Sequence, residues 1–98
     1  MAARLSDAEI SSSLSQLTGW TIANAKLHRE YQFPDFVHAF GFMTSIALVA
    51  EAMGHHPEWC NVYNRVTVDL TTHDAGGISA KDFDLARKME AIYRKGLS

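Results

Sequence analysis

Three of the chain's five histidines fall in two short segments, Gly54-His55-His56-Pro57-Glu58-Trp59 and, further on, Thr71-Thr72-His73-Asp74. Imidazole can give or take a proton near neutral pH, so this clustering has the composition of an acid/base site. A residue before proline is pushed out of the helical region, which places His56 in extended backbone. Neighbouring side chains there point to opposite faces, so His55 and His56 are expected to do different jobs. In Arg65 to Thr72, Val66, Val68 and Leu70 alternate with Thr67, Asp69 and Thr71. The alternation predicts a strand that delivers His73 on its polar face. Three histidines are also a common zinc set. The diverging directions of His55 and His56, and the lack of a His-Glu-x-x-His pattern, argue against a metal-dependent hydrolase. His28 and His38 stand alone and read as ordinary surface or core residues.

The elements that must position these groups are legible in outline. Ser6-Asp7-Ala8-Glu9 is a capping-box pattern followed by Ile10, Leu14 and Leu17, which predicts a helix of about three turns ending near Gly19. Trp20 to Ile22 and Lys26 to Phe33 read as strands joined by a turn around Asn24, the second placing Leu27, Tyr31 and Phe33 on one face. Pro34 opens a second helix that runs to Met53 and stops at Gly54. Trp59 to Tyr63 and Arg65 to Thr72 form a second hairpin turning near Asn64, with Trp59 as a core anchor. Gly76-Gly77 is a turn, Ser79-Ala80-Lys81-Asp82 caps a last helix, and Phe83, Ala86, Met89, Ile92 and Tyr93 give that helix its apolar face. Helix, hairpin, helix, hairpin, helix predicts an α+β fold: a four-stranded antiparallel sheet with three helices packed on one face.

Composition bounds the rest. At 98 residues, the chain is expected to form a single domain, 1–98, with 47% hydrophobic and 20% charged residues. A formal net charge of -2 gives no electrostatic footprint for direct nucleic-acid binding. No segment approaches the ~20 uninterrupted apolar residues of a membrane span. The opening Met1 to Ser6 lacks the apolar run of a secretory signal, and Cys60 has no cysteine to pair with, so a cytoplasmic location is expected. The helix from Pro34 to Met53 carries apolar residues around more than half its circumference, whereas covering a sheet needs a stripe of only about 100°. The excess predicts self-association through helix 34–53.

Phe40-Gly41-Phe42-Met43-Thr44, Glu51, His55 to Trp59, Asn61-Val62-Tyr63-Asn64, Thr72-His73 and Ser79 to Asp82 together resemble the pterin-4a-carbinolamine dehydratase family, whose animal members double as the dimerisation cofactor of a homeodomain transcription factor. The resemblance spans roughly residues 4 to 95. It implies a hydro-lyase acting on 4a-hydroxytetrahydrobiopterin, the carbinolamine left by an aromatic amino acid hydroxylase, giving quinonoid dihydropterin and water. It also implies no metal, no cofactor, and homodimers or homotetramers. Carried onto this chain, the family's catalytic histidines fall on His55, His56 and His73. His55 and His73 are then the proton-transfer pair, and His56 mainly holds the pterin. Gly54, Pro57, Thr71, Thr72 and Asp74 correspond to substrate-binding positions, and Glu51 and Asp82 are candidates for orienting imidazoles. The alternative role is a binding or dimerisation cofactor using the apolar second helix, with or without dehydratase activity.

Overall fold

Val66, Val68 and Leu70 are fully buried and form the middle of the sheet's inner face, as their alternation predicts. The structure is a computed structural model that describes residues 3–96; Met1, Ala2, Leu97 and Ser98, the ends of the expected domain, lie outside the described residues. The elements run α1 (Asp7–Leu14), β1 (Thr21–Ala23), β2 (Lys26–Gln32), α2 (Phe36–Met53), β3 (Glu58–Val62), β4 (Arg65–Leu70), a 3-10 turn (His73–Ala75) and α3 (Ala80–Gly96). The strands lie in the order β1-β2-β4-β3, every neighbouring pair antiparallel. This is the expected α+β arrangement of four strands and three helices.

The hairpins are closed by two-residue turns. Asn24 and Ala25 both take left-handed backbone (φ 53° and 62°), the turn whose twist matches that of paired strands. At the second hairpin Tyr63 is left-handed (φ 50°), and the Asn64 side chain donates to the Phe33 carbonyl at 3.0 Å, tying the turn to the end of β2.

Leu27 and Tyr31 of β2 join the β4 residues on the inner face, where α2 and α3 cover them. Tyr31 packs its ring against Phe42 of α2 (centroids 4.8 Å apart) and Tyr93 of α3 (4.6 Å). Beside them Glu90 Oε1 accepts from Trp20 Nε1 (2.9 Å), Arg29 Nε (2.9 Å) and the Tyr31 hydroxyl (2.7 Å), so a buried carboxylate is satisfied from β2 and the residue preceding β1. Burial, and then Glu90, push the Tyr31 phenol well above its ordinary range. The other face of the sheet stays open and polar, with Lys26 paired to Glu58 and His28 to Asp69.

Strands β1, β2 and β3 begin and end within one residue of the sequence expectation, and the larger differences lie elsewhere. Helix α1 has the expected capping box at Ser6 and Glu9 but stops at Leu14. Its serines compete for backbone groups, as when Ser15 Oγ donates to the Ser12 carbonyl at 2.7 Å, and the chain tightens into shorter-range bonds that turn Leu17 into the core. Helix α2 begins at Phe36, not Pro34, because Asp35 is its N-cap and accepts the His38 amide at 2.8 Å. Strand β4 ends at Leu70, so His73 is not on a strand; it opens the 3-10 turn after an isolated bridge between Thr72 and Gly77. Finally, α2 is long and apolar enough by length and composition to cross a membrane, although His38, Thr44, Ser45 and Glu51 interrupt its apolar run. Its Ala39, Phe42, Ile46 and Ala50 stripe is nevertheless buried in the core.

The wide apolar arc of α2 is divided between two environments. Phe42 and Ile46 face inward, while Phe36, Val37, Phe40 and Leu48 are exposed, Val37 at 75% and Leu48 at 71%.

Candidate active site

The site forms where α2, β4 and α3 meet. Gly54 ends α2 in left-handed backbone (φ 65°) and donates its N–H back to the Ala50 and Glu51 carbonyls. The next residue, His55, also bonds Ala50 through its N–H at 3.1 Å and is turned inward. Its Nε2 lies 2.5 Å from Asp82 Oδ1. The histidine is 9% exposed and Asp82 is fully buried.

Asp82 is held as firmly as it holds. Its second oxygen accepts from the Thr72 hydroxyl and from the Ser79 N–H, each at 2.9 Å. The Thr72 and Ser79 hydroxyls lie 2.6 Å apart, and Ser79 Oγ accepts from the Lys81 N–H at 3.2 Å. Ser79 and Asp82 therefore cap the start of α3 together: the Ser79 hydroxyl takes the Lys81 amide and the Asp82 carboxylate reaches back to the Ser79 amide. The carboxylate that starts the helix is the one that meets His55.

His56 goes the other way, as extended backbone before Pro57 dictates. Its Nε2 lies 2.9 Å from Glu51 Oε1, and both side chains are mostly exposed. His73, at the first position of the 3-10 turn, is 82% exposed with Nε2 3.4 Å from Glu58 Oε2. Each of the three imidazoles thus has its own carboxylate, and in each the contact is made through Nε2. At His55 and His56 the contact is a hydrogen bond, which favours the tautomer with the proton on Nε2 and leaves Nδ1 as the ring nitrogen able to exchange a proton with a ligand.

These residues surround one cleft of ≈ 330 Å³. Gly54, His55, His56, Thr71, Thr72, His73 and Asp74 line it, and Pro57 does not. Glu51 and Asp82 stand behind the imidazoles they contact. Among the described residues no three His, Cys, Asp or Glu side chains converge as a metal-binding group.

Two residues with a claim on the site were not singled out for it from sequence. Lys81 lines the cleft, one residue before Asp82 in the first turn of α3. Glu58 was within reach of a sequence argument, since it lies two residues after His56 in extended chain that puts alternate residues on one face.

The chain matches the sequence model of the family described as Pterin 4 alpha carbinolamine dehydratase over residues 3–92. A Solibacter usitatus protein carrying the same dehydratase name is 66% identical over 92 residues, covering 94% of this chain and 97% of that protein. One from Prochlorococcus marinus (strain MIT 9303) is 53% identical over 93 residues, again covering 94% and 97%. Among solved structures, the crystal structure of a transcriptional coactivator/pterin dehydratase from Brucella melitensis superimposes with a TM-score of 0.90 at 46% identity, covering 92% of this chain and 98% of that one.

Proposed function

The chain belongs to the pterin 4 alpha carbinolamine dehydratase family, and on that footing we propose that it is a hydro-lyase that dehydrates 4a-hydroxytetrahydrobiopterin to quinonoid dihydropterin by histidine acid/base catalysis. In this reaction the C4a–O bond breaks, the proton on N5 departs, a C4a=N5 double bond forms, and the hydroxyl leaves as water. A hydroxyl is a poor leaving group unless protonated, so the step needs one proton delivered and one withdrawn, work suited to groups that titrate near neutrality. His55 and His73 are assigned that exchange and His56 the holding of the pterin. Thr71, Thr72 and Asp74 supply hydrogen-bonding groups along the cleft. The observation that carries the reading is the set of three imidazoles, each backed by a separate carboxylate around one cleft. The physiological setting proposed is the recycling of tetrahydropterin after aromatic amino acid hydroxylation. The exposed free thiol of Cys60 suits a reducing compartment such as the cytoplasm.

The deciding experiment follows the decay of chemically generated 4a-hydroxytetrahydropterin with and without the protein. A protein-dependent acceleration is expected; a decay rate unchanged by the protein would refute the assignment.

A second reading, compatible with the first, is a binding surface on α2. Phe36, Val37, Phe40 and Leu48 are exposed on one side of the helix, and Phe36 and Phe40 stack on each other with centroids 5.7 Å apart. Apolar side chains concentrated in this way on a soluble domain mark an interface. The occupant proposed is a second copy of the chain, giving a homodimer or homotetramer through this helix.

A further inference from the structure

His55 and His73 share a reaction but not an anchorage. The His55 ring is buried and fixed by Asp82, itself fixed by two further hydrogen bonds. His73 sits on a three-residue turn outside the sheet and is 82% exposed, so burial does little to restrict its ring. A group that exchanges a proton in the transition state must be held near its acceptor, and a displacement of about 1 Å can cost ~10² in rate. Something has to hold this imidazole.

We propose that Glu58 is the positioning residue for His73, holding its Nε2 at the mouth of the cleft, and that Lys26 holds Glu58 in turn. Among the described residues, Glu58 is the side chain that forms an ion pair with the His73 ring, Oε2 lying 3.4 Å from Nε2. It begins β3 and lies opposite Asp69 of β4 on the open face of the sheet. Lys26 begins β2, on the far side of β4, and reaches across that strand to place Nζ 2.5 Å from Glu58 Oε1. Oε1 therefore binds the lysine while Oε2 meets the histidine, and the row Lys26, Glu58, His73 is strung across three strands. Asp69, the other acid on this stretch, is taken up by His28 Nδ1 at 2.8 Å.

The charge state suits the task. The Lys26 ammonium, and to a lesser degree His73, hold the Glu58 carboxyl below the usual carboxylate range. Glu58 raises Lys26 in return. Both stay charged throughout the range in which an imidazole titrates. The carboxylate is thus a constant negative partner on the Nε2 side of the ring, which turns Nδ1 of His73 away from it.

This inference rests on the dehydratase reading, and a double-mutant cycle separates the two. Carbinolamine decay is measured for the wild type, Glu58→Gln, His73→Ala and the pair combined, with thermal melts to confirm folding. Glu58→Gln is expected to lower kcat about tenfold, a part of the ~10²-fold worth of a positioned acid or base, with KM changed less than about twofold. In the His73→Ala background the same substitution should have no further effect. Lys26→Met, which leaves Glu58 in place but untethered, should lower kcat by a smaller factor. Wild-type kcat in Glu58→Gln, or an equal loss in both backgrounds, overturns the positioning role while leaving the dehydratase assignment standing. A wild-type protein without activity overturns both.

Discussion

Asp82 allows the sharpest separation of folding from chemistry. It is fully buried and accepts three hydrogen bonds, from His55, Thr72 and the Ser79 backbone. In Asp82→Ala all three donors lose that partner inside the protein. An orphaned buried donor costs about 1–3 kcal/mol. Thr72 can still turn to Ser79 Oγ, 2.6 Å away, so the expected net loss is ~3–5 kcal/mol. That is a large share of the ~5–15 kcal/mol that holds a domain of this size together. Asp82→Asn keeps the shape and one acceptor. Its carbonyl can serve Thr72 and Ser79, but its NH2 then confronts His55 Nε2 donor to donor. The clash is relieved if the imidazole moves its proton to Nδ1, which limits the stability cost to about 1 kcal/mol, or ~4–8 °C in Tm. The chemistry is expected to suffer far more. With Nδ1 protonated and Nε2 committed to the amide, the ring presents the wrong tautomer, and kcat should fall ~10²-fold or more. Urea denaturation and carbinolamine turnover on the two variants test both halves. Wild-type turnover in Asp82→Asn would refute the idea that this carboxylate sets the proton on His55. Wild-type stability in Asp82→Ala would refute the buried-donor argument.

Three further outcomes are expected. His55→Ala and His73→Ala should each lower kcat ~10²-fold, and His56→Ala should chiefly raise KM, while His28→Ala, on the open face of the sheet, serves as the control; wild-type turnover in the His55→Ala/His73→Ala double variant would overturn the assignment. Leu48→Glu puts a charge on the exposed apolar side of α2 and should give a smaller folded species in light scattering, since an unpaired charge in an interface costs several kcal/mol; an unchanged mass, or a wild type that is monomeric at high micromolar concentration, refutes self-association through this face. Glu9, Asp35 and Glu58 all titrate below their ordinary values of 4.5, 3.8 and 4.5 in the folded chain, held down by the Ser6 amide, the His38 amide and Lys26 respectively. Their folded forms bind the proton less tightly than the unfolded chain does, so their support is complete above those values and is lost as pH falls through the depressed ones. The urea midpoint should accordingly decline from pH 6 towards pH 3, and a flat or rising midpoint would contradict this.

What the sequence made legible follows from how local each signal is. The alternation in β4, the capping box at Ser6, the cap at Ser79 and the stop at Gly54 depend on a few adjacent residues, and each holds in the structure. The end of α1 is not legible because Ile10, Leu14 and Leu17 keep helical apolar spacing through the serines that stop the helix. Leu17 is indeed buried, but from a turn and not from a helix. The end of β4 is not legible because the pattern of Thr67, Asp69 and Thr71 has no punctuation before Gly76-Gly77. The strand ends earlier, where Thr72 leaves the sheet to bond Asp82. The pairing of each imidazole with a carboxylate was only partly legible. Glu51 and His56 are close in sequence, but His55 and Asp82 are brought together by packing across 27 residues. Which side of the α2 arc stays exposed could not be read at all, since Phe42, Ile46 and Leu48 have similar hydrophobicity and only the position of the sheet sorts them.

His55, one of the two histidines proposed for proton exchange, is placed by the same bonds that set the ends of two helices. Gly54 is needed at the end of α2 for its dihedral angle and not for space, as a Cβ there would meet nothing within 4 Å. That left-handed residue lets His55 turn inward. At the start of α3 the Asp82 carboxylate satisfies the Ser79 amide and the His55 ring together. One histidine is thus fixed between the C-terminus of one helix and the N-terminus of another, and neither boundary can shift without moving it. His73 belongs to no such boundary, for it sits on a three-residue turn with its side chain 82% exposed. Its placement must come from the sheet, and the side chain the sheet offers is Glu58, steadied by Lys26 from two strands away. A buried imidazole secured by backbone architecture and an exposed one secured by a charged row are two solutions to the same demand, and they differ in how they fail. Loss of the first carboxylate endangers the fold, whereas loss of the second should leave a stable protein with a poorly aimed base.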